Sequence, residues 1–251
     1  MPSEKKHSIS EIRTKGTFAA VIPVFNHGPM VEAVIRQARK LNLPLIVVDD
    51  GSTDGGVDGI NNIDGVQFLR HPKNRGKGAA IMTGFDRAAA IADWAITIDA
   101  DGQHHPDDAM NLIRAIPEGS RPLVVGLRQG MTGRDVPWTS RYGRQFSNFW
   151  VRISGGPAMA DSQSGFRIYP LPEAMNLNVK ARRFQFEVEI LVRAAWANIP
   201  IIEVPVRVNY AGGQERISHF RPFVDFLRNT RTFYQLITRR LLVHPFTPKR
   251  R

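Results

Sequence analysis

The strongest constraint in this chain is an alternation of short apolar runs and helix-patterned stretches, in which apolar runs stop at carboxylates. Residues 18–25 form an apolar run that ends around Pro23. Residues 45–48 form a second, which stops at Asp49-Asp50-Gly51-Ser52, and residues 66–69 a third. Residues 95–98 form a fourth, which stops at Asp99-Ala100-Asp101, and residues 123–127 a fifth. Between them, 30–41 and 78–93 read as helices. The second of these carries Ile81, Phe85, Ala88 and Ala92 at spacings of four, three and four, which is one helical face. Pro106 opens another helix, at a first-turn position that proline tolerates. Strands alternating with helices predict an α/β fold with a mostly parallel central sheet flanked by helices.

The second half is less regular. Residues 129–140 are Gly-rich and polar and read as a mobile loop; 141–153 read as helix and 166–169 as strand. Phe184, Val188, Leu191 and Ala195 share a helix face. A strand over 199–208 is interrupted by Pro200 and Pro205, which predicts an edge position. A basic helix follows over 222–243. With no repeat and no long linker, the organisation is a flexible segment 1–17, one domain 18–221, and a basic amphipathic helix and tail 222–251.

The 251 residues are 42% apolar and 23% charged, enough for a sizeable core and unlike a disordered or fibrous chain. Cysteine is absent, which excludes disulfides, Cys-ligated zinc, iron–sulfur clusters and thiol catalysis. The polar start lacks the apolar core of a signal peptide, and no run approaches the ~18 apolar residues of a membrane span. Net charge is +11, and residues 216–251 hold nine Lys/Arg against one carboxylate, Asp225. Aromatic and aliphatic residues recur between those charges at helical spacing. Such a helix can lie on an anionic membrane, or pack its apolar stripe on the domain's own core.

In open α/β sheets, ligands bind outside the carboxyl ends of the strands. Two strands here end in carboxylate pairs, Asp49-Asp50 and Asp99-Ala100-Asp101, with Gln103 close by. Grouped carboxylates repel, so a site that gathers them satisfies them with a cation or with hydrogen-bond donors. Oxygen donors without thiols suit Mg²⁺ or Mn²⁺, ions that commonly hold substrate phosphates. No G-x-G-x-x-G follows the first strand, so a dinucleotide site is not expected. The run Asn74-Arg75-Gly76-Lys77-Gly78 lacks the first glycine and the Ser/Thr of a Walker loop.

Several of these features occur in one order: Pro23-Val24-Phe25-Asn26; Val47-Val48-Asp49-Asp50-Gly51-Ser52-Thr53-Asp54; Asn74-x-Gly76-Lys77-Gly78-x-Ala80; and Asp99-Ala100-Asp101-Gly102-Gln103-His104. Together they resemble family 2 glycosyltransferases of the GT-A fold. Asp161-Ser162-Gln163-Ser164-Gly165-Phe166-Arg167 is similar to the D-x-x-S-G-F-R segment of the polyprenyl- and dolichyl-phosphate sugar synthase branch. The resemblance spans residues 18–228. The chain departs from that branch at His27, where Glu is usual, and in lacking the C-terminal transmembrane helices of several bacterial relatives. The stretches 142–150 and 215–223 resemble a bacterial subgroup linked to lipid or pigment-like acyl products.

The resemblance implies inverting transfer of a hexose from a UDP- or GDP-sugar to a lipid-linked acceptor such as polyprenyl phosphate. It assigns Pro23, Phe25, Asn26, Val48, Asp50, Lys77, Asp99, Ala100 and Asp101 to the nucleotide sugar. Asp99, Asp101 and Gln103 fall to the metal, Mg²⁺ or Mn²⁺. Asp161 is the first candidate base or acceptor-positioning residue and Glu187 the second, with Asp101 also catalytic. Arg128, Arg141 and Arg144 match arginines that meet an anionic acceptor; Arg216, Ser218 and His219 match a mobile loop that closes on the diphosphate. The enzyme is expected to be cytoplasmic, peripheral at the inner face of an anionic membrane, and not bound to nucleic acid. Two readings stand beside this one: a sugar-phosphate nucleotidyltransferase, and a non-enzymatic protein whose basic C-terminus binds nucleic acid or membrane.

Overall fold

A computed structural model describes residues 15–130, 138–208 and 222–243. In chain order the elements are β1 (Phe18–Val24), α1 (Gly28–Ala38), β2 (Leu45–Asp49), β3 (Val66–Arg70), α2 (Lys77–Ala88), β4 (Trp94–Thr97) and α3 (Ala109–Arg114). They continue as β5 (Leu123–Arg128), α4 (Trp138–Ile153), β6 (Arg167–Pro170), α5 (Phe186–Trp196), β7 (Ile201–Val206) and α6 (Pro222–Val243). Among the described residues the sheet has seven strands in the order β3-β2-β1-β4-β6-β5-β7. β6 runs antiparallel to both neighbours, and the other pairs are parallel.

β1, an interior strand between β2 and β4, is apolar throughout because helices cover both faces of the sheet. Along β1 the side chains alternate. Ala20, Ile22 and Val24 meet Val31 and Ile35 of α1 and Leu112 and Ile113 of α3. Ala19 and Val21 meet Ile81 and Phe85 of α2 and Phe186 and Ile190 of α5. A third cluster lies off the sheet, where Val151 of α4, Val188 and Val192 of α5, and Phe233 and Leu236 of α6 pack together.

The elements match the sequence expectations closely, with differences mainly at their ends. α5 begins at Phe186, so Phe184 precedes the helix. α2 ends at Ala88, and Ala92 lies beyond it. Pro106 opens a 3-10 turn, Pro106–Asp108, before α3. The chain also joins the fold by residue 15, where the Lys15 ammonium donates to the carbonyls of Ile113, Arg114 and Ile116 and caps α3. β7 lies at the sheet edge, as its prolines predict. Of the expected loop 129–140, residues 131–137 lie outside the described residues, and α4 already begins at Trp138.

Strand order reverses between β1 and β4: β2 and β3 extend from one side of β1 and β4 from the other. The two strands stay paired only as far as Val21 and Thr97. Pro23, which has no N–H to give, lies just past that point, still in register with Val48 of β2. A crevice at such a reversal is where α/β sheets bind ligands. The antiparallel direction of β6 brings the segment before it, residues 161–166, to the same end of the sheet.

Candidate active site

At the rim of β1 and β2 two turns are stitched together. Asn26 sits at φ 51, a left-handed conformation that asparagine tolerates. Its amide N–H donates to Ser52 Oγ (2.9 Å), and its side-chain oxygen accepts from Thr53 N–H (2.8 Å). Gly28 N–H donates to Asp54 Oδ2, and the backbones of Gly28 and Gly56 touch so closely that a Cβ on Gly56 would fall 1.8 Å from Gly28 Cα. Pro23 and Val48 are register partners. Val48 is wholly buried, so it can offer a ligand only its backbone. Phe25 remains half-buried at the crevice.

Asp50 is buried and already well supplied with donors. Its Oδ1 accepts from Arg75 N–H (2.9 Å) and lies 2.7 Å from His71 Nδ1; its Oδ2 accepts from Gly76 N–H (2.6 Å). The other ring nitrogen of His71 meets Thr83 Oγ1 at 3.0 Å. Asp50 therefore holds the turn that delivers Lys77, a job that spacing in the sequence did not reveal. Gly76 has φ 102, and a Cβ there would lie 2.3 Å from the Arg182 carbonyl oxygen. A Cβ on Gly78 would lie 2.6 Å from Phe186 Cβ. Both glycines let this turn press against the segment leading into α5.

Lys77, the first residue of α2, reaches Asp99 Oδ1 at 2.8 Å and Glu187 Oε1 at 2.5 Å. Burial favours the neutral amine, but the Asp99 and Glu187 carboxylates outweigh it and raise the Lys77 pKa. Burial likewise opposes ionisation of Asp99, and Lys77 reverses this, holding Asp99 below the usual carboxylate value. Asp101 goes the other way: burial and the neighbouring Asp99 charge push its pKa up, and a hydrogen bond from Gln103 N–H only partly offsets them. Gly165 packs so tightly here that a Cβ on it would lie 2.6 Å from Asp99 Oδ1. Thr97 Oγ1 donates to the Gly165 carbonyl (2.6 Å). Ala100 is buried in the core and contributes backbone alone. Buried His104 packs beside Phe166 with the rings tilted 40° to each other, while His105 is half-buried.

A divalent cation fits the donor set. Asp99, Asp101 and Gln103 offer hard oxygen atoms, and the charge crowding that lifts Asp101 is what a cation relieves. Among the described residues no three His, Asp or Glu side chains group closely enough to hold a metal alone. Such an ion would complete its shell with oxygens of its ligand.

Asp161 is fully buried, and both its oxygens go to the Arg128 guanidinium, at 2.7 and 2.9 Å. Burial opposes its ionisation, but Arg128, aided by Arg144, holds it below the ordinary carboxylate value. Glu203 receives the backbone N–H groups of Ala160 and Asp161, and Asn148 of α4 receives that of Ser162. Arg167, also fully buried, donates to the carbonyls of Ser162, Ser164 and Glu187 and ties this segment to the start of α5. Both carboxylate oxygens of Asp161 are thus committed to Arg128. The side chain of Arg141, and Arg216, Ser218 and His219 entirely, lie outside the described residues.

The structure thus brings Asp50, Lys77, Asp99, Asp101, Gln103, Arg128, Asp161 and Glu187 to one end of the sheet. His71, Ser52, Gly165 and Arg167 join them as supports that sequence reasoning missed. Ser52, Gly165 and Arg167 were quoted within motifs, but nothing linear marked what they touch.

This α/β architecture is the GT-A fold. Glucosyl-3-phosphoglycerate synthase from Mycobacterium tuberculosis, solved with Mn²⁺ and UDP-glucose, superposes with a TM-score of 0.66 at 21% identity, covering 92% of this chain and 83% of that one. The model of glycosyl transferase family 2 matches residues 19–170, and the chain belongs to that family: it is a glycosyltransferase. The UDP-N-acetylglucosamine–dolichyl-phosphate N-acetylglucosaminyltransferase of Methanococcus voltae is 31% identical over 212 residues, 76% of this chain and 84% of the relative. The polyprenol monophosphomannose synthase of Mycolicibacterium smegmatis is 26% identical, over 82% of this chain and 84% of the relative.

Proposed function

We propose that this glycosyltransferase moves a hexose, with inversion, from a nucleotide-diphosphate sugar to a polyprenyl-phosphate-type lipid at an anionic membrane surface. The observation that carries the acceptor class is the state of the two candidate bases. Asp161 is tied to Arg128 and Glu187 to Lys77. A hydroxyl acceptor needs a base to take its proton; a phosphate is already ionised and needs none. A site whose two candidate bases are both ion-paired, with Arg128 and Arg144 beside Asp161, suits an anion that attacks unaided. The named activities of the relatives, dolichyl-phosphate and polyprenol transfer, support the same reading.

In this reading Phe25 covers the base, and Asp50 keeps the Lys77 turn in place while using its remaining acceptor capacity on the nucleotide. Asp99, Asp101 and Gln103 would hold Mg²⁺ or Mn²⁺, which would supply Lewis-acid stabilisation of charge on the leaving diphosphate. Lys77 adds a fixed positive charge at the same place. Arg128, held by Asp161, orients the acceptor phosphate. Arg141, Arg216, Ser218 and His219 are proposed to join the acceptor and diphosphate contacts, and residues 222–251 to dock the enzyme peripherally on the cytoplasmic face.

The test pairs a panel of UDP- and GDP-sugars with detergent-solubilised polyprenyl phosphate and, separately, the corresponding free polyprenol. The expected outcome is metal-dependent transfer to the phosphate alone, abolished in Asp101→Asn. Comparable transfer to the free alcohol would show that a base operates and would sink the acceptor assignment.

A further inference from the structure

Exposed large apolar side chains are concentrated on two helices. Among the described residues they are Phe149 and Ile153 of α4 and Tyr234, Leu241 and Leu242 of α6, with Ile91 standing apart. Phe149 is 57% exposed and Leu242 76%. The inner faces of both helices are spoken for. Trp150 stacks on Phe233 with ring centroids 6.1 Å apart, and Phe233 and Leu236 close the third core cluster. Arg240 of α6 donates to the Ile153 carbonyl at the end of α4 (2.8 Å). That contact joins the two exposed sets at one corner of the molecule.

Among the described side chains, the charge on these two helices has one sign: Arg144 and Arg152 on α4, and Arg228, Arg231, Arg239 and Arg240 on α6. Arg152, Arg231 and Arg239 are exposed. A second copy of this chain would bring arginine against arginine, which like-charge repulsion disfavours. An anionic bilayer complements both the arginines and the apolar side chains between them.

We propose that α4 and α6 form a single docking surface for an anionic bilayer, with Phe149 and Ile153 of α4 as inserted anchors alongside Leu241 and Leu242 of α6. The surface is therefore not the C-terminal helix alone. The consequence concerns the site. Ser147 and Asn148 of α4 hold the segment 160–163, through Gln163 Nε2, Ala160 O and Ser162 N–H. Arg144 of the same helix bears on Asp161. At 1.5 Å rise per residue, Phe149 lies only about 7.5 Å along the axis from Arg144. α4 thus binds the site segment with one face and enters the lipid with the other, fixing the depth at which a lipid headgroup meets Arg128. The proposal deepens the lipid-acceptor reading but rests on the surface itself, so it is tested without any acceptor.

The full chain would be sedimented with vesicles of phosphatidylcholine, with and without phosphatidylglycerol, at low and high salt. Wild-type protein should bind the anionic vesicles and release partly in high salt. Phe149→Ser with Ile153→Ser should lower the partition coefficient about tenfold, and Leu241→Ser with Leu242→Ser by a similar factor. Arg152→Gln with Arg239→Gln should weaken only the anionic component. Calorimetric binding of the donor nucleotide, unchanged in all three, would show that the variants are folded and would separate failure here from failure of the transferase reading. As a check on unaltered protein, brominated lipid should quench tryptophan fluorescence, since Trp150 adjoins Phe149. Wild-type binding by the Phe149/Ile153 variant, or no quenching, would remove α4 from the surface. A dimer in solution that the same variant dissociates would instead make this face a contact between copies and overturn the proposal.

Discussion

At the scale of single residues, the site works by pairing each buried carboxylate with a named donor. Asp161 is the sharpest case, since its two oxygens are committed to Arg128. Asp161→Asn would leave the guanidinium without its counter-charge, at a cost of about 3 kcal/mol in urea unfolding. The sign with pH follows. The folded pKa lies below the ordinary 3.8, so this stabilisation is complete above that value and is lost as pH falls through the folded one. The wild type should therefore lose more stability than the variant as pH falls below about 4. Equal losses would show that the pair is not what titrates. Asp99, Asp101 and Gln103 were legible as a group because they are neighbours in the chain. Arg128 and Asp161 were both nominated, but their pairing was not legible, because it joins β5 to the segment before β6 across 33 positions.

At the scale of elements, the approach of the β3–α2 turn to the segment before α5 decides where Lys77 points. Gly76→Ala would place a Cβ 2.3 Å from the Arg182 carbonyl oxygen in a conformation that alanine resists, φ 102. The expected result is a loss of about 2–3 kcal/mol in stability. Weaker donor-nucleotide binding should accompany it as Lys77 shifts. Unchanged values for both would mean that the turn can retreat without consequence. The elements themselves were largely readable, since apolar runs of four to seven residues and a period near 3.6 are local properties. The start of α5 was misread because Phe184 continues the apolar period although the helix begins at Phe186. Periodicity does not see where a helix stops.

At the scale of the whole molecule, α6 is both part of the core and part of the surface. Phe233 is 2% exposed in the cluster with α4 and α5, so Phe233→Ala should cost about 3 kcal/mol in chemical denaturation. No change would leave α6 a loosely attached tail, as its composition alone could suggest. The sequence by itself determined the α/β class, the alternation that builds the sheet, and which strand ends carry the chemistry. These follow from local patterning and from acidic residues adjacent in the chain. Tertiary structure alone decided what those residues do. It turned β6 antiparallel and so carried Asp161 to Arg128, and it set Gly165 against Asp99 and His71 against Asp50. It also divided the faces of α6 between core and solvent. Contacts between distant segments depend on chain reversal and close packing, which no linear spacing encodes.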